Sequence, residues 1–219
     1  MENRGLQIQL AGPSGMGKTT LAQLLAKELD IPFVSGSYSE LVPSTRKKTH
    51  KEMVSQSPKD IFQQDYQLLN LRNRLFASHP QYVSDRSFLD SAGYIINKTS
   101  MAIPDCDMEA FIGTCETCLS KECNALIFIT YPNHIGDWEI EDNKKRILNR
   151  YFQMQISQTM WGVLREWDLN MKVIPGGFRG TIQVAGVTLP ICILQTTNLD
   201  ERFRIANNFL DDLFSGLLF

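Results

Sequence analysis

Gly12-Pro13-Ser14-Gly15-Met16-Gly17-Lys18-Thr19 has the form G-x-x-x-x-G-K-[ST], the phosphate-binding P-loop. Leu6-Gln7-Ile8-Gln9-Leu10-Ala11 precedes it, a short alternating run that reads as a strand. After it, Leu21, Leu24, Leu25 and Leu29 recur at helical spacing. The loop therefore stands between a strand and a helix N-terminus, where free backbone N–H groups and the positive end of the helix dipole meet a polyphosphate. Gly12, Pro13, Ser14, Gly15, Met16, Gly17, Lys18, Thr19 and Thr20 are the candidate nucleotide-binding residues. In that motif Lys18 reaches the β- and γ-phosphates and the Thr19 hydroxyl holds Mg²⁺, so ATP and Mg²⁺ are the expected cofactors.

Working outward, the rest of the chain alternates. Strand-like runs at 31–34, 81–85 and 125–130 are separated by helical patterns near 59–77, 88–97 and 107–121. A long amphipathic helix is expected over 142–167, then strands at 172–174, 181–184 and 191–194, and a last helix over about 198–213. This order predicts an α/β class, a three-layer P-loop NTPase fold with a mainly parallel sheet and helices on both faces. The 219 residues suit one domain of that kind. Residues 35–57 are polar and irregular and form an insert, with a basic cluster at Arg46, Lys47, Lys48 and Lys51. The heavy segment 175–194 has no assignment from the sequence.

A net charge of −2 gives no global pull toward nucleic acid or an anionic membrane. No apolar run reaches the roughly 20 residues that span a bilayer, and the first residues lack a signal-peptide core, so a cytoplasmic protein is expected. Cys106, Cys115, Cys118 and Cys123 crowd into one stretch, and Cys115-x-x-Cys118 invites a zinc reading. The helical pattern of that stretch favours free thiols, because paired zinc ligands usually sit on tight knuckles.

Asp85-Arg86-Ser87 closes the third strand. In open α/β sheets ligands bind beyond the carboxyl ends of the strands. Asp85 there can organise Mg²⁺ or take a proton from an acceptor hydroxyl, and Arg86 can clamp a phosphate. Asp85 as a plain helix cap is the competing reading, and spacing alone leaves the two even.

The P-loop, the helix segment Leu71-Arg72-Asn73-Arg74 and Val83-Ser84-Asp85-Arg86-Ser87 together resemble the thymidylate kinase and deoxynucleoside kinase group. They are also similar to small P-loop kinase-like ATPases with a strand-terminal Asp-Arg-Ser. The resemblance implies that Asp85 and Arg86 lie between donor and acceptor, and that Arg72 or Arg74 contacts the acceptor. It also implies a basic lid over ATP, matched here by 138–150 with Lys144, Lys145, Arg146 and Arg150. The deoxynucleoside kinases' Arg-x-Arg-x-Glu-Glu is absent, so Arg146 and Arg150 both stand as lid candidates. Phe33, Tyr38 and Phe88 are aromatics near the expected acceptor cleft. The acceptor expected is a thymidine-like pyrimidine nucleotide or nucleoside, with a homodimer left open. A second acceptor is 5-hydroxymethyluracil in modified DNA, tracked by Arg46, Lys47, Lys48 and Lys51. A third reading is a P-loop ATPase that couples hydrolysis to a partner. The sequence speaks against a GTPase, since Asn97-Lys98-Thr99-Ser100 lacks the guanine-reading Asp and lies only a few residues after Asp90-x-x-Gly93.

Overall fold

Residues 5–42, 56–131 and 149–216 are described in the computed structural model. They form seven strands and seven helices. In chain order these are β1 (Gln7–Ala11), α1 (Lys18–Glu28), β2 (Phe33–Val34), α2 (Tyr38–Leu41), α3 (Pro58–Ala77), β3 (Tyr82–Ser84) and α4 (Phe88–Thr99). Then come α5 (Asp105–Glu122), β4 (Ala125–Ile129), α6 (Arg150–Glu166), β5 (Asn170–Ile174), β6 (Gly177–Val184), β7 (Val187–Leu194) and α7 (Leu199–Phe214). The basic cluster Arg46, Lys47, Lys48 and Lys51 lies outside the described residues. So do Lys144, Lys145, Arg146 and most of the expected lid.

Helix starts follow local chemistry. Ser57 accepts the Asp60 N–H at 3.2 Å with Pro58 in the first turn, where its missing N–H costs nothing. Asn149 caps α6 through the Tyr151 N–H at 2.9 Å, and Asn198 caps α7 through that of Glu201 at 2.9 Å.

The sheet order is β2-β3-β1-β4-β7-β6-β5. β1 lies between β3 and β4 and is parallel to both, and β7 extends the parallel part beside β4. Side chains alternate across the central strands, and both faces are buried. Ile8, Leu10, Ile127 and Leu194 meet Leu21, Leu25, Ala206 and Phe209 from α1 and α7. On the other face Leu126, Phe128, Ile191 and Ile193 meet Leu69, Phe111, Met160 and Leu164 from α3, α5 and α6. Burial on two faces is why these strands read as continuous apolar runs. Each fully buried Leu, Ile or Phe side chain contributes about 1.5–3 kcal/mol. The result is the expected three-layer, mainly parallel α/β architecture.

Segment 175–194 now has an assignment. β5, β6 and β7 form an antiparallel meander that widens the sheet on the β7 side. Two-residue turns can only return a chain antiparallel, whereas parallel strands need a crossover. Ala185 and Gly186 both have positive φ, 48° and 79°, the turn whose twist suits a hairpin.

Candidate active site

β1 delivers the loop to the carboxyl edge of the sheet, and α1 begins at Lys18. Gly12 has φ 143°, and a Cβ there would run into the carbonyl of Ile129 on β4. Gly17 takes the left-handed N-cap position at φ 77°. No side chain among the described residues caps α1, and its first turn carries no acid. The first N–H groups of the helix and its dipole are thus left for an anion.

Lys18 is buried and folds back over its own loop, donating to the carbonyls of Gly12 and, at 2.8 Å, of Pro13. Next to it the Thr19 hydroxyl donates to Asp85 Oδ2 at 2.7 Å. The other Asp85 oxygen accepts from Ser35 Oγ at 3.2 Å. The two residues expected to organise Mg²⁺ therefore touch, although 66 positions separate them in the chain. Mg²⁺ is commonly held by one or two protein oxygens plus substrate phosphates, and Thr19 with Asp85 fits that pattern. Among the described residues no group of three His, Cys, Asp or Glu is arranged to hold a metal on its own.

The helix-cap reading of Asp85 fails here. Ser87 is the N-cap of α4, its hydroxyl accepting the Asp90 N–H at 3.2 Å, and Asp90 returns the bond to the Ser87 N–H at 2.8 Å. Asp85 stays turned toward the P-loop.

Arg86 Nη1 stands 3.7 Å from Asp90 Oδ1. Burial opposes its charge, but Asp90, Tyr94 and Asp85 outweigh that cost and hold its pKa above the ordinary arginine value. Arg72 is buried on α3 and binds the Gly36 carbonyl through Nε at 3.2 Å and Nη2 at 3.0 Å; it also donates to Ser91 Oγ. Burial lowers its pKa, against the pull of Asp90. A cavity of about 160 Å³ opens beside the loop between α3 and α4, lined by Tyr38, Arg72, Arg86, Asp90, Tyr94 and Lys98 among others.

Of the expected acceptor residues, Arg72 and Tyr38 reach this cavity. Arg74, two positions along α3, is exposed. Phe33 packs on the α1 side of the sheet, and Phe88 is core, edge-on to Phe76 with centroids 5.6 Å apart. Arg150 is exposed at the start of α6, its guanidinium 5.5 Å from the Tyr151 ring. Arg146 lies outside the described residues.

The sequence profile of a family described as an AAA domain matches residues 7–181, well over half of the chain. The chain belongs to the AAA domain family. Among solved structures, it is similar to the deoxyadenosine kinase of M. mycoides with dCMP and dCDP bound. That likeness has a TM-score of 0.62 at 11% identity, covering 95% of this chain and 100% of the other. A NadR protein in complex with NAD and AMP-PNP matches at TM-score 0.58 and 12% identity, over 95% of this chain and 50% of that one. The YorR protein of Bacillus subtilis, in complex with phosphorylated GDP, matches at TM-score 0.53 and 15% identity, over 95% and 97%. No curated protein sequence matches the chain. At such identities the likeness establishes the fold, and this AAA domain has the P-loop kinase fold.

Within that fold, several residues escaped the sequence reading. Ser14 N–H is held by Tyr94 Oη at 3.0 Å and by Gln153 Oε1 at 2.9 Å, which ties the loop to α4 and α6. Arg202 on α7 is buried and donates to the carbonyls of Met16 and Thr196, each at 2.6 Å. Burial lowers its pKa to about 10. Nothing local marks Gln153 or Arg202, because each looks like an ordinary polar helix residue. Asp90 did carry a signal: Ser87-x-x-Asp90 is a capping-box pattern at a helix start. Cys115, Cys118 and Cys123 are buried in or beside α5 and Cys106 is exposed, all as free thiols.

Proposed function

We propose that this chain is an ATP-dependent phosphotransferase whose acceptor is a thymidine-like pyrimidine nucleotide or nucleoside. The observation that carries the reading is the contact of P-loop Thr19 with Asp85, in a site that also has a cavity beside the loop lined by Arg72, Arg86, Asp90 and Lys98. A hydrolase needs no second cavity with its own cationic lining, whereas a kinase has to seat an acceptor in line with the γ-phosphate. The pyrimidine assignment rests on the resemblance of the P-loop, Arg72 and Asp85-Arg86-Ser87 to the thymidylate kinase and deoxynucleoside kinase group, and the cavity supplies a place beside the loop for such an acceptor. Tyr38 and Tyr94 are aromatic residues of its lining, and Ser91, whose hydroxyl accepts from Arg72, adds a polar group there.

MgATP would supply the phosphoryl group, held by the N–H groups of the loop and α1, by Lys18, and through the metal by Thr19 and Asp85. The chain's own part is charge and position. Lys18 and Arg86 neutralise charge spreading over the transferred group. Asp85 takes the proton if the acceptor is a hydroxyl, and a phosphate acceptor needs no base. Arg150 and Arg146 are the remaining candidates for a cation brought from the lid side.

The test is a γ-labelled ATP transfer assay with thymidine, thymidine monophosphate, purine counterparts and hydroxymethyluracil DNA in parallel. Transfer to a free pyrimidine supports the proposal. Transfer to DNA alone moves the acceptor to a flipped base, and purine-only transfer refutes the pyrimidine assignment. Hydrolysis with no acceptor would show a coupling ATPase.

A further inference from the structure

Asp90 does more than close a helix. Its Oδ2 completes the cap, taking the Ser87 N–H at 2.8 Å and the Ser87 hydroxyl at 3.1 Å. Its Oδ1 faces the other way and accepts the Gly12 N–H at 3.2 Å. The same oxygen lies 3.7 Å from Lys18 Nζ and 3.7 Å from Arg86 Nη1, with the side chain almost wholly buried. A cap needs only the first oxygen. The second gathers the amide that opens the P-loop and two cations of the site, one from the P-loop and one from the turn after β3.

We propose that Asp90 is a positioning residue that shares Lys18 and Arg86 with the phosphoryl groups, fixing where both cations sit while phosphate draws them against its pull. The assignment rests on the kinase reading above. Lys18 and Arg86 are like charges held near one another in a buried setting, where charge is poorly screened. One carboxylate between them offsets that repulsion. The Asp85 oxygens meanwhile stay engaged with Thr19 and Ser35. A polyphosphate carries several negative charges and can draw both cations, but the carboxylate opposes it. Asp90 therefore weakens polyphosphate binding and improves the alignment of the groups that neutralise the transition state.

The test compares wild type, Asp90→Asn, Asp90→Glu and Ser87→Ala, using calorimetric titration with inorganic tripolyphosphate and steady-state transfer kinetics. Asp90→Asn keeps the size and removes the charge. It should bind tripolyphosphate about tenfold more tightly at low salt, as one nearby repulsive charge is lost, and should lower both kcat and the KM for ATP. Asp90→Glu keeps the charge but displaces it, so affinity should stay near wild type while kcat falls. Ser87→Ala removes a cap hydroxyl and leaves the loop contacts of Asp90, so it should lower the melting temperature with tripolyphosphate affinity unchanged. A purely structural Asp90 would give equal or weaker binding in Asp90→Asn, in step with lost stability, and that result overturns the proposal. So does tighter binding in Asp90→Glu equal to that of Asp90→Asn. If Asp90→Asn does not fold, the Asp90→Glu pattern decides alone. Should wild type bind tripolyphosphate but transfer to no acceptor, the kinase reading falls, while the affinity comparison still decides the role of Asp90.

Discussion

Replacing Asp85 by Asn removes the charge at the centre of the site with little change of shape. Asp85 is buried and accepts two hydroxyl hydrogen bonds, from Thr19 at 2.7 Å and Ser35 at 3.2 Å. Hydrogen bonds to a charged group contribute about 1.5–3 kcal/mol each. The Asn keeps one carbonyl oxygen for one hydroxyl, and its amide can donate to the other. The folded state therefore loses little, and the lost charge–hydroxyl attraction is offset by no longer burying an ion. On the proposed reading, the transition state would lose the carboxylate that orients the metal through Thr19 or takes the acceptor's proton. A loss of about 3–4 kcal/mol there corresponds to a fall in kcat of roughly 10²–10³-fold. Affinity for ATP, set mainly by the loop N–H groups and Lys18, should change by less than about threefold, which separates kcat from binding. Stopped transfer assays, nucleotide titration and thermal melting measure the three quantities. Wild-type turnover in Asp85→Asn, or a rate loss that merely follows a lowered melting temperature, would refute the reasoning.

Lys18→Ala should reduce transfer to background and weaken nucleotide binding. Melting should stay within a few degrees, because the freed desolvation cost of the ammonium offsets its bonds to Gly12 and Pro13; wild-type-like turnover would remove the P-loop assignment. Arg202→Lys leaves one ammonium that cannot hold the Met16 and Thr196 carbonyls with the same fork, so KM for ATP should rise several-fold with a smaller change in kcat; unaltered KM and melting temperature would show that Arg202 does not brace the loop. Of the five thiols, only Cys106 should react with iodoacetamide in the native protein at pH 8. Burial pushes Cys123 and Cys192 up to about 12 and raises Cys115 and Cys118 as well, so two or more fast-labelling thiols would contradict the packing around α5 and β7.

The sequence by itself determined the features that rest on local chemistry. A glycine-rich loop between an alternating run and a helical run has one economical use, because the backbone N–H groups at a helix start need a partner. Asp85-Arg86-Ser87 stood out because it follows a buried strand, and ligands of such sheets bind beyond strand ends, but spacing left Asp85 even between the site and a helix cap. Helix positions came from apolar spacing and agree to within a few residues where the chain is described, except for the single turn α2 (Tyr38–Leu41), which falls in the segment read as irregular. The tertiary structure decided what depends on residues distant in the chain. Asp90 reaches Gly12 across 78 positions, Gln153 reaches Ser14 across 139, and Arg202 reaches Met16 across 186. No periodicity encodes such contacts, since a polar residue on a helix has the same local pattern whether it meets water or a loop carbonyl. The choice between Arg72 and Arg74 was of this kind too. Two residues apart on one helix they point to different sides, and only the packing of α3 against α4 turned Arg72 toward the cavity. That Asp85 does not cap α4 was likewise a tertiary matter, because Ser87 and Asp90 cap the helix between them while Asp85 accepts from Thr19.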